Sequence, residues 1–280
     1  MISSLVIVFR EMLEMSLVLG VLFAATNGMQ KTQRWIVFGA GIGLLGACFV
    51  AFFMEELENA MTGNGEFLFN AVVLSLASLL IAWTVLWMSQ HGREMTMRMK
   101  QVGKSVAEGE LPKTALMMVS LAAVLREGSE AVFFLFGFLQ AGHDASSMFA
   151  GGLMGVVLGG LTGYLLYRGL VWIPTKQLFL VTGWLLMLLA AGMASQAAWN
   201  LVVIEMLPPI VDSLWNSSAW LSQESLVGEF LHVLIGYDEN PSGMQFLVFV
   251  IALIAMVTVN HHLKSGHGEA KPAQSGRSFS

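Results

Sequence analysis

The sequence predicts an all-α integral membrane protein with seven transmembrane helices. They are arranged as a 3+3 inverted repeat plus one extra helix, with the amino terminus outside and the carboxyl terminus inside. Three observations lead there. The 280 residues are 56% hydrophobic and 12% charged, against about 25% charged in a soluble domain. Seven apolar stretches approach the ~20 residues that a helix needs to cross a bilayer. The charges then divide cleanly. Of the 14 Lys and Arg, all but Arg10 and Arg126 fall in segments 27–34, 90–113 and 168–177 and in the tail after residue 260. The opposite loops, 55–66, 141–147 and 200–243, hold no Lys or Arg but 11 of the 19 acids. Basic loops stay on the cytoplasmic side, and only an odd number of spans keeps that partition intact. The composition excludes a soluble enzyme and a nucleic-acid-binding protein, and makes the lipid bilayer the first partner.

The elements follow in order. Span 1 covers 4–26 and carries Arg10, Glu11 and Glu14. It lacks a positive leading region, so it is expected to be retained rather than cleaved as a signal peptide. Span 2, at 35–54, carries Gly39-x-x-x-Gly43 and the lone Cys48. Small residues at that spacing let membrane helices approach closely. Span 3 covers 67–89, and the charged inner stretch 90–113 reads as a helical hairpin. Span 4 covers 114–140 with Arg126, Glu127 and Glu130; span 5 covers 148–167 with Gly151-x-x-x-Gly155; span 6 covers 178–199. An outer segment, 200–243, is broken by Pro208-Pro209 and has room for a short or re-entrant helix at 224–235. Span 7 covers 244–260. The expected membrane domain is therefore 1–262, with repeat one at 1–89 and repeat two at 114–199. A disordered cytoplasmic tail is expected over 263–280.

Chemistry concentrates in two strings, Arg10-Glu11-Met12-Leu13-Glu14 and Arg126-Glu127-Gly128-Ser129-Glu130. Both read R-E-x-x-E, and both sit inside apolar runs where an unpaired charge costs several kcal/mol. On a helix, residues three and four apart share a face, so each motif points two carboxylates one way with an arginine beside them. The motifs lie 116 residues apart on antiparallel spans, at similar depth in the outer half of the membrane. In a repeat-built transporter such groups meet near the midplane at the repeat interface. Glu11, Glu14, Glu127 and Glu130 with Arg10 and Arg126 sum to a charge of −2 before any ion enters. All-oxygen ligation suits Mg, Ca, Mn or ferric iron better than copper or zinc. The alternative is that the ion pairs only order the bundle; two copies on symmetry-related helices weigh against it.

With these residues in hand, the chain resembles the oxidase-dependent iron permeases, which include the fungal ferric permeases and the bacterial EfeU-type transporters. The resemblance runs to about residue 260. Supporting strings are Trp83 to Trp87, Ala131-Val132-Phe133-Phe134, Ser225-Leu226, Gly236-Tyr237 and Pro241-Ser242. It implies an iron permease in the cytoplasmic (inner) membrane, multi-pass, with iron as transported substrate and no tightly bound cofactor. It also implies a periplasmic iron-binding protein or oxidase as partner; a homo-oligomer is compatible with it. The chain departs from the family's R-E-G-L-E at Met12 and Ser129. Where the family often has further glutamates, this chain aligns Asn70 and His232, which leaves room for ferrous iron or manganese.

Secondary candidates are weaker. Glu55, Glu56 and Glu58, with Glu66, crowd one outer loop and would attract cations by local field; a solvated loop obeying topology explains them equally. Glu229 and His232 are spaced i, i+3, as in di-iron sites. His261, His262 and His267 sit at the inner end of span 7, where an interfacial cluster is the plain reading. Met95, Met97 and Met99 resemble a copper spacing in a charged loop. Rival functions are a manganese, lead or organic-cation transporter on the same scaffold, a membrane di-iron redox enzyme, and a metal sensor.

Overall fold

The computed structural model describes residues 1–60, 66–141, 144–168, 175–222, 225, 227–228, 231–232 and 237–266. Among them are seven long α-helices, helical residues at 227–228 and 231–232, and no strand. The helices are α1 (Ile2–Ala25), α2 (Gln30–Ala60), α3 (Glu66–Ala107), α4 (Thr114–Gln140), α5 (Ala145–Tyr167), α6 (Thr175–Val203) and α7 (Gly243–Gly266). Helices satisfy their own backbone groups, which is the condition for residing in lipid. Five of them (α2, α3, α5, α6 and α7) are long and apolar enough to cross a membrane. The other two, α1 and α4, have 24 and 27 residues, about 36 and 40 Å at 1.5 Å per residue. Each carries an arginine and two glutamates in its apolar run. Large apolar side chains stand exposed along α2 (Phe38, Leu45, Phe49), α3 (Leu79, Trp83), α5 (Phe149, Val157) and α7 (Ile251, Ile254). Such a surface is suited to lipid rather than water.

Several helices outrun the apolar stretches that announced them. Helix α2 covers 30–60 rather than 35–54, so Glu55, Glu56 and Glu58 lie on its last turns and not in a loop. Helix α3 is a single 42-residue helix, about 63 Å long; the expected hairpin over 90–113 is absent. Hydropathy marks only the lipid-embedded part, whereas Met, Lys, Arg, Glu and Gln remain good helix formers beyond it. Pairs at i, i+4 add support: Arg98 meets Glu94 at 2.6 Å and Lys104 meets Glu108 at 3.4 Å. The extension is also packed, with Met99, Val102 and Val106 against Val18, Leu22, Ile36 and Leu116. Gly109, at φ 81°, then supplies the left-handed residue that ends it. Met99 is therefore a packing residue, and Met95, Met97 and Met99 do not share a face on one continuous helix. Helix α7 likewise continues to Gly266, so 263–266 are helical rather than part of a disordered tail.

The tightest pairings are crossed: α1 packs on α5, α2 on α4 and α3 on α6, while α1 meets α4. Exchanging α1 with α4, α2 with α5 and α3 with α6 leaves this pattern unchanged. The correspondence reaches single residues. A Cβ on Gly43 would lie 2.8 Å from the Leu121 carbonyl oxygen, and one on Gly155 would lie 2.8 Å from that of Leu5. A shift of 116 residues carries Leu5 to Leu121, and a shift of 112 carries Gly43 to Gly155. Ser4 Oγ donates to the Met1 carbonyl at 2.8 Å, as Ser120 Oγ does to Met117 at 3.0 Å. Glycine is required at both crossings because backbone meets backbone there.

The same correspondence explains Met12. In the second motif Gly128 faces Ala47, with a Cβ on the glycine 2.7 Å from the alanine Cβ. In the first, the bulk is transposed: Met12 faces Gly159, again at 2.7 Å. The residue corresponding to Ala47 is Gly159, so the departure at position 12 is offset across the interface.

Between α6 and α7 the chain folds back irregularly. The amides of Leu214 and Ser217 donate to the carbonyls of Pro241 and Glu239 at 3.0 and 2.9 Å. Tyr237 Oη donates to the Leu221 carbonyl at 2.8 Å. Ser242 and Gln245 form a reciprocal capping box at the start of α7, and Ser195 Oγ on α6 donates to the Gln245 carbonyl. Most of the segment expected to hold a short helix, 224–235, lies outside the described residues; Val227, Gly228, Leu231 and His232 are helical.

Candidate metal site

Helices α1 and α4 meet where the two motifs fall. Glu11, Glu14 and Glu127 are all buried, and each offers a carboxylate oxygen within 4.8 Å of the others. Arg10 lies among them, only 3% exposed, with Nη1 3.0 Å from Glu11 and Nη2 2.6 Å from Glu14. The approach to Glu14 is an ion-pair contact without hydrogen-bond alignment. Both Glu14 oxygens, Glu11 Oε2 and Glu127 Oε2 are consequently buried with no hydrogen-bond partner. Buried polar atoms are nearly always satisfied, and unsatisfied anionic oxygens are costlier still. Glu14 Oε1 faces the Arg10 guanidinium, so Glu11 Oε2, Glu14 Oε2 and Glu127 Oε2 are left with neither donor nor cation beside them, a hard oxygen set of the kind that binds a hard or borderline ion.

Glu130 stands outside that set. Its Oε1 accepts from Arg126 Nε at 2.9 Å and its Oε2 from Thr84 Oγ1 on α3 at 2.9 Å. Arg126 also stacks over Trp87, 4.7 Å from the ring centre, and lies 3.9 Å from Glu127. The two motifs are thus unequal: Arg126 is 32% exposed and Glu130 17%, where Arg10 and Glu14 are sealed. Of the four glutamates that the sequence singled out, the structure brings three together and holds the fourth beside them.

Thr84 and Trp87 were not expected here. They are spaced i, i+3 on α3, so one face of that helix supplies both; Thr84 is one of four hydroxyl residues in span 3, with Ser75, Ser78 and Ser89, and only its place in the Trp83 to Trp87 string set it apart.

The remaining candidates lie apart. Asn70 sits near the start of α3 with its Oδ1 buried and unpartnered. His232 Nδ1 is engaged by the Tyr237 carbonyl oxygen at 2.5 Å. Glu55 and Glu56 are exposed, as is Glu66. The side chain of Glu58, and Glu229 and His267 entirely, fall outside the described residues. His261 and His262 meet edge to face, 6.2 Å between ring centres. Outside the bundle, Asp144 caps α5 by accepting from the Ser147 amide at 2.8 Å. Hydrogen bonds from Ser146 and Ser147 hold its carboxyl at about 2, below the ordinary 3.8.

An all-helical bundle with apolar outer faces and a buried carboxylate cluster defines a multi-pass membrane protein. The chain belongs to the iron permease FTR1 family, whose model matches residues 1–263; it is a transport protein rather than an enzyme. It is 29% identical over 252 residues to the ferrous iron permease EfeU of Escherichia coli O6:H1 (strain CFT073), covering 89% of this chain and 91% of that protein. The ferrous iron permease EfeU of Shigella sonnei (strain Ss046) is 29% identical over 254 residues, with the same coverage. That of Shigella flexneri is 28% identical over 209 residues, covering 74% of this chain and 88% of the relative. No solved structure matches the chain.

Proposed function

We propose that the chain imports iron across the cytoplasmic membrane through a carboxylate site at the α1–α4 interface. Glu11, Glu14 and Glu127 hold the ion, Glu130 joins as a fourth ligand, and Arg10 and Arg126 keep the carboxylates in place. The reading rests above all on three unpartnered oxygens, one each from Glu11, Glu14 and Glu127, for which a cation is the natural partner. The relatives named as ferrous iron permeases favour ferrous iron as cargo. Seven spans follow if α1 and α4 cross with the other five helices, their charges neutralised against each other. The basic ends then face the cytoplasm and the amino terminus faces out. The exchange symmetry of the helix pairings supports an inverted repeat of 1–89 and 114–199. Asn70, with its unpartnered oxygen, is a waypoint on the outer side, and His232 belongs to the same entrance. A periplasmic iron-binding protein or oxidase delivers the ion.

The test is anoxic uptake of radiolabelled ferrous ion by proteoliposomes. Glu14→Gln keeps the side-chain volume and removes one anionic ligand; ion binding and uptake should fall at least about tenfold, the order of one charge-assisted contact. Uptake at the wild-type rate by a correctly folded Glu14→Gln protein would refute the site. Manganese or lead carried in preference to iron would move the cargo assignment while leaving the site intact.

A further inference from the structure

We infer that Thr84 and Arg126 form a latch that parks Glu130 beside the ion cage, making Glu130 the mobile ligand whose departure opens the site. This rests on the carboxylate-site reading above. The first support is a contrast in satisfaction. Glu11, Glu14 and Glu127 each keep one buried oxygen with neither a donor nor a cation beside it, while both oxygens of Glu130 already accept from protein donors, Thr84 Oγ1 and Arg126 Nε. A carboxylate with both oxygens engaged by donors is held in place; one with empty lone pairs is waiting for a cation.

The second support is how Thr84 uses its hydroxyl. A threonine on a helix commonly donates to the carbonyl four residues back, as Thr26 and Thr258 do at 2.8 and 2.7 Å. Thr84 is 2% exposed and directs its proton to Glu130 on the neighbouring helix. Its hydroxyl reaches the cage through Glu130, so it is a positioning residue acting through Glu130.

The third is the inequality between the motifs. Arg10 is sealed, whereas Arg126 is partly exposed with Trp87 against its face. A guanidinium facing lipid is costly, so its open flank faces water. Binding of the ion draws Glu130 off the latch and into the cage; its return to Thr84 and Arg126 releases the ion.

Removing the latch should favour the ion-bound arrangement, because apparent affinity rises with the population of the competent state. Thr84→Val keeps the shape and loses the donor. Equilibrium dialysis of ferrous ion against the purified protein, without oxygen, should give a Kd about tenfold lower, the effect of one hydrogen bond to a charged group. In proteoliposomes KM and maximal rate should fall together, since release slows. Thr84→Ser should restore wild-type values, and Thr84→Val should have no effect on Kd in a Glu130→Gln background. Thr84→Ala, which removes the same donor without β-branching, serves if the valine protein does not fold. An unchanged or weaker Kd in either donor-less variant overturns the latch, as does an equal effect in the Glu130→Gln background. Wild-type protein that binds no ferrous ion would overturn the carboxylate-site reading itself, and the latch with it; normal wild-type binding with an unresponsive Thr84 removes the latch alone.

Discussion

Gly159→Ala is predicted to destabilise the protein, and Met12→Gly to rescue it in part. The added methyl would lie 2.7 Å from Met12 Cβ and 2.7 Å from the Phe9 carbonyl oxygen, well inside van der Waals contact, and none of these atoms can rotate away because all are fixed to helix backbone. Helices α1 and α5 must therefore separate along a seam where Gly151 and Gly155 already meet the Met1 and Leu5 carbonyls. Overpacking of this kind costs about 1–3 kcal/mol, partly offset by the gain of about 1 kcal/mol from replacing a helical glycine by alanine. The double variant removes the Met12 half of the clash, as glycine does opposite Ala47 in the other half, and leaves the Phe9 carbonyl in place. The coupling energy should accordingly be favourable by at least about 0.5 kcal/mol, without full recovery of wild-type stability. Resistance to unfolding in mixed detergent and SDS micelles measures it for the wild type, two single variants and the double. Strict additivity, or a Gly159→Ala protein as stable as wild type, would refute the view that the two positions compensate each other.

Other expectations follow from local geometry. Arg10→Met removes the one buried cation beside Glu11 and Glu14, which should cost about 3–5 kcal/mol and reduce folded yield, measured by monodisperse recovery from membranes. Adding Glu14→Gln to Arg10→Met should recover part of it. Ser242→Ala breaks the capping box of α7 at about 1 kcal/mol, visible as faster amide exchange over 243–246 with ion binding retained. Asp144 caps α5 only while ionised. Its carboxyl is held at about 2 against an ordinary 3.8, so the cap is fully present above about pH 4 and is lost as pH falls through about 2. Protection of the Ser147 amide from exchange should decline over that window and not between pH 5 and 8.

Glu11, Glu14, Glu127 and Glu130 were legible as a site because a charge in an apolar run has few explanations and two copies of one pattern have fewer. Helix ends were less legible: α2, α3 and α7 all continue past the apolar stretch, since hydropathy reports lipid and helix propensity does not stop at its boundary. Thr84 carried almost no signal, because a threonine in an apolar helix ordinarily satisfies itself.

The sequence by itself determined an all-helical membrane protein, the two helices that carry R-E-x-x-E and the spaced glycines on α2 and α5, for these depend on residue type and spacing along one chain. Only the tertiary structure decided that α1 grips α5 and α2 grips α4, that Gly159 makes room for Met12, and that three glutamates converge while Glu130 rests on Thr84 and Arg126. Those outcomes turn on which helix faces lie opposite each other, and local spacing does not encode that; the packing of glycine against backbone and of carboxylate against hydroxyl selects it.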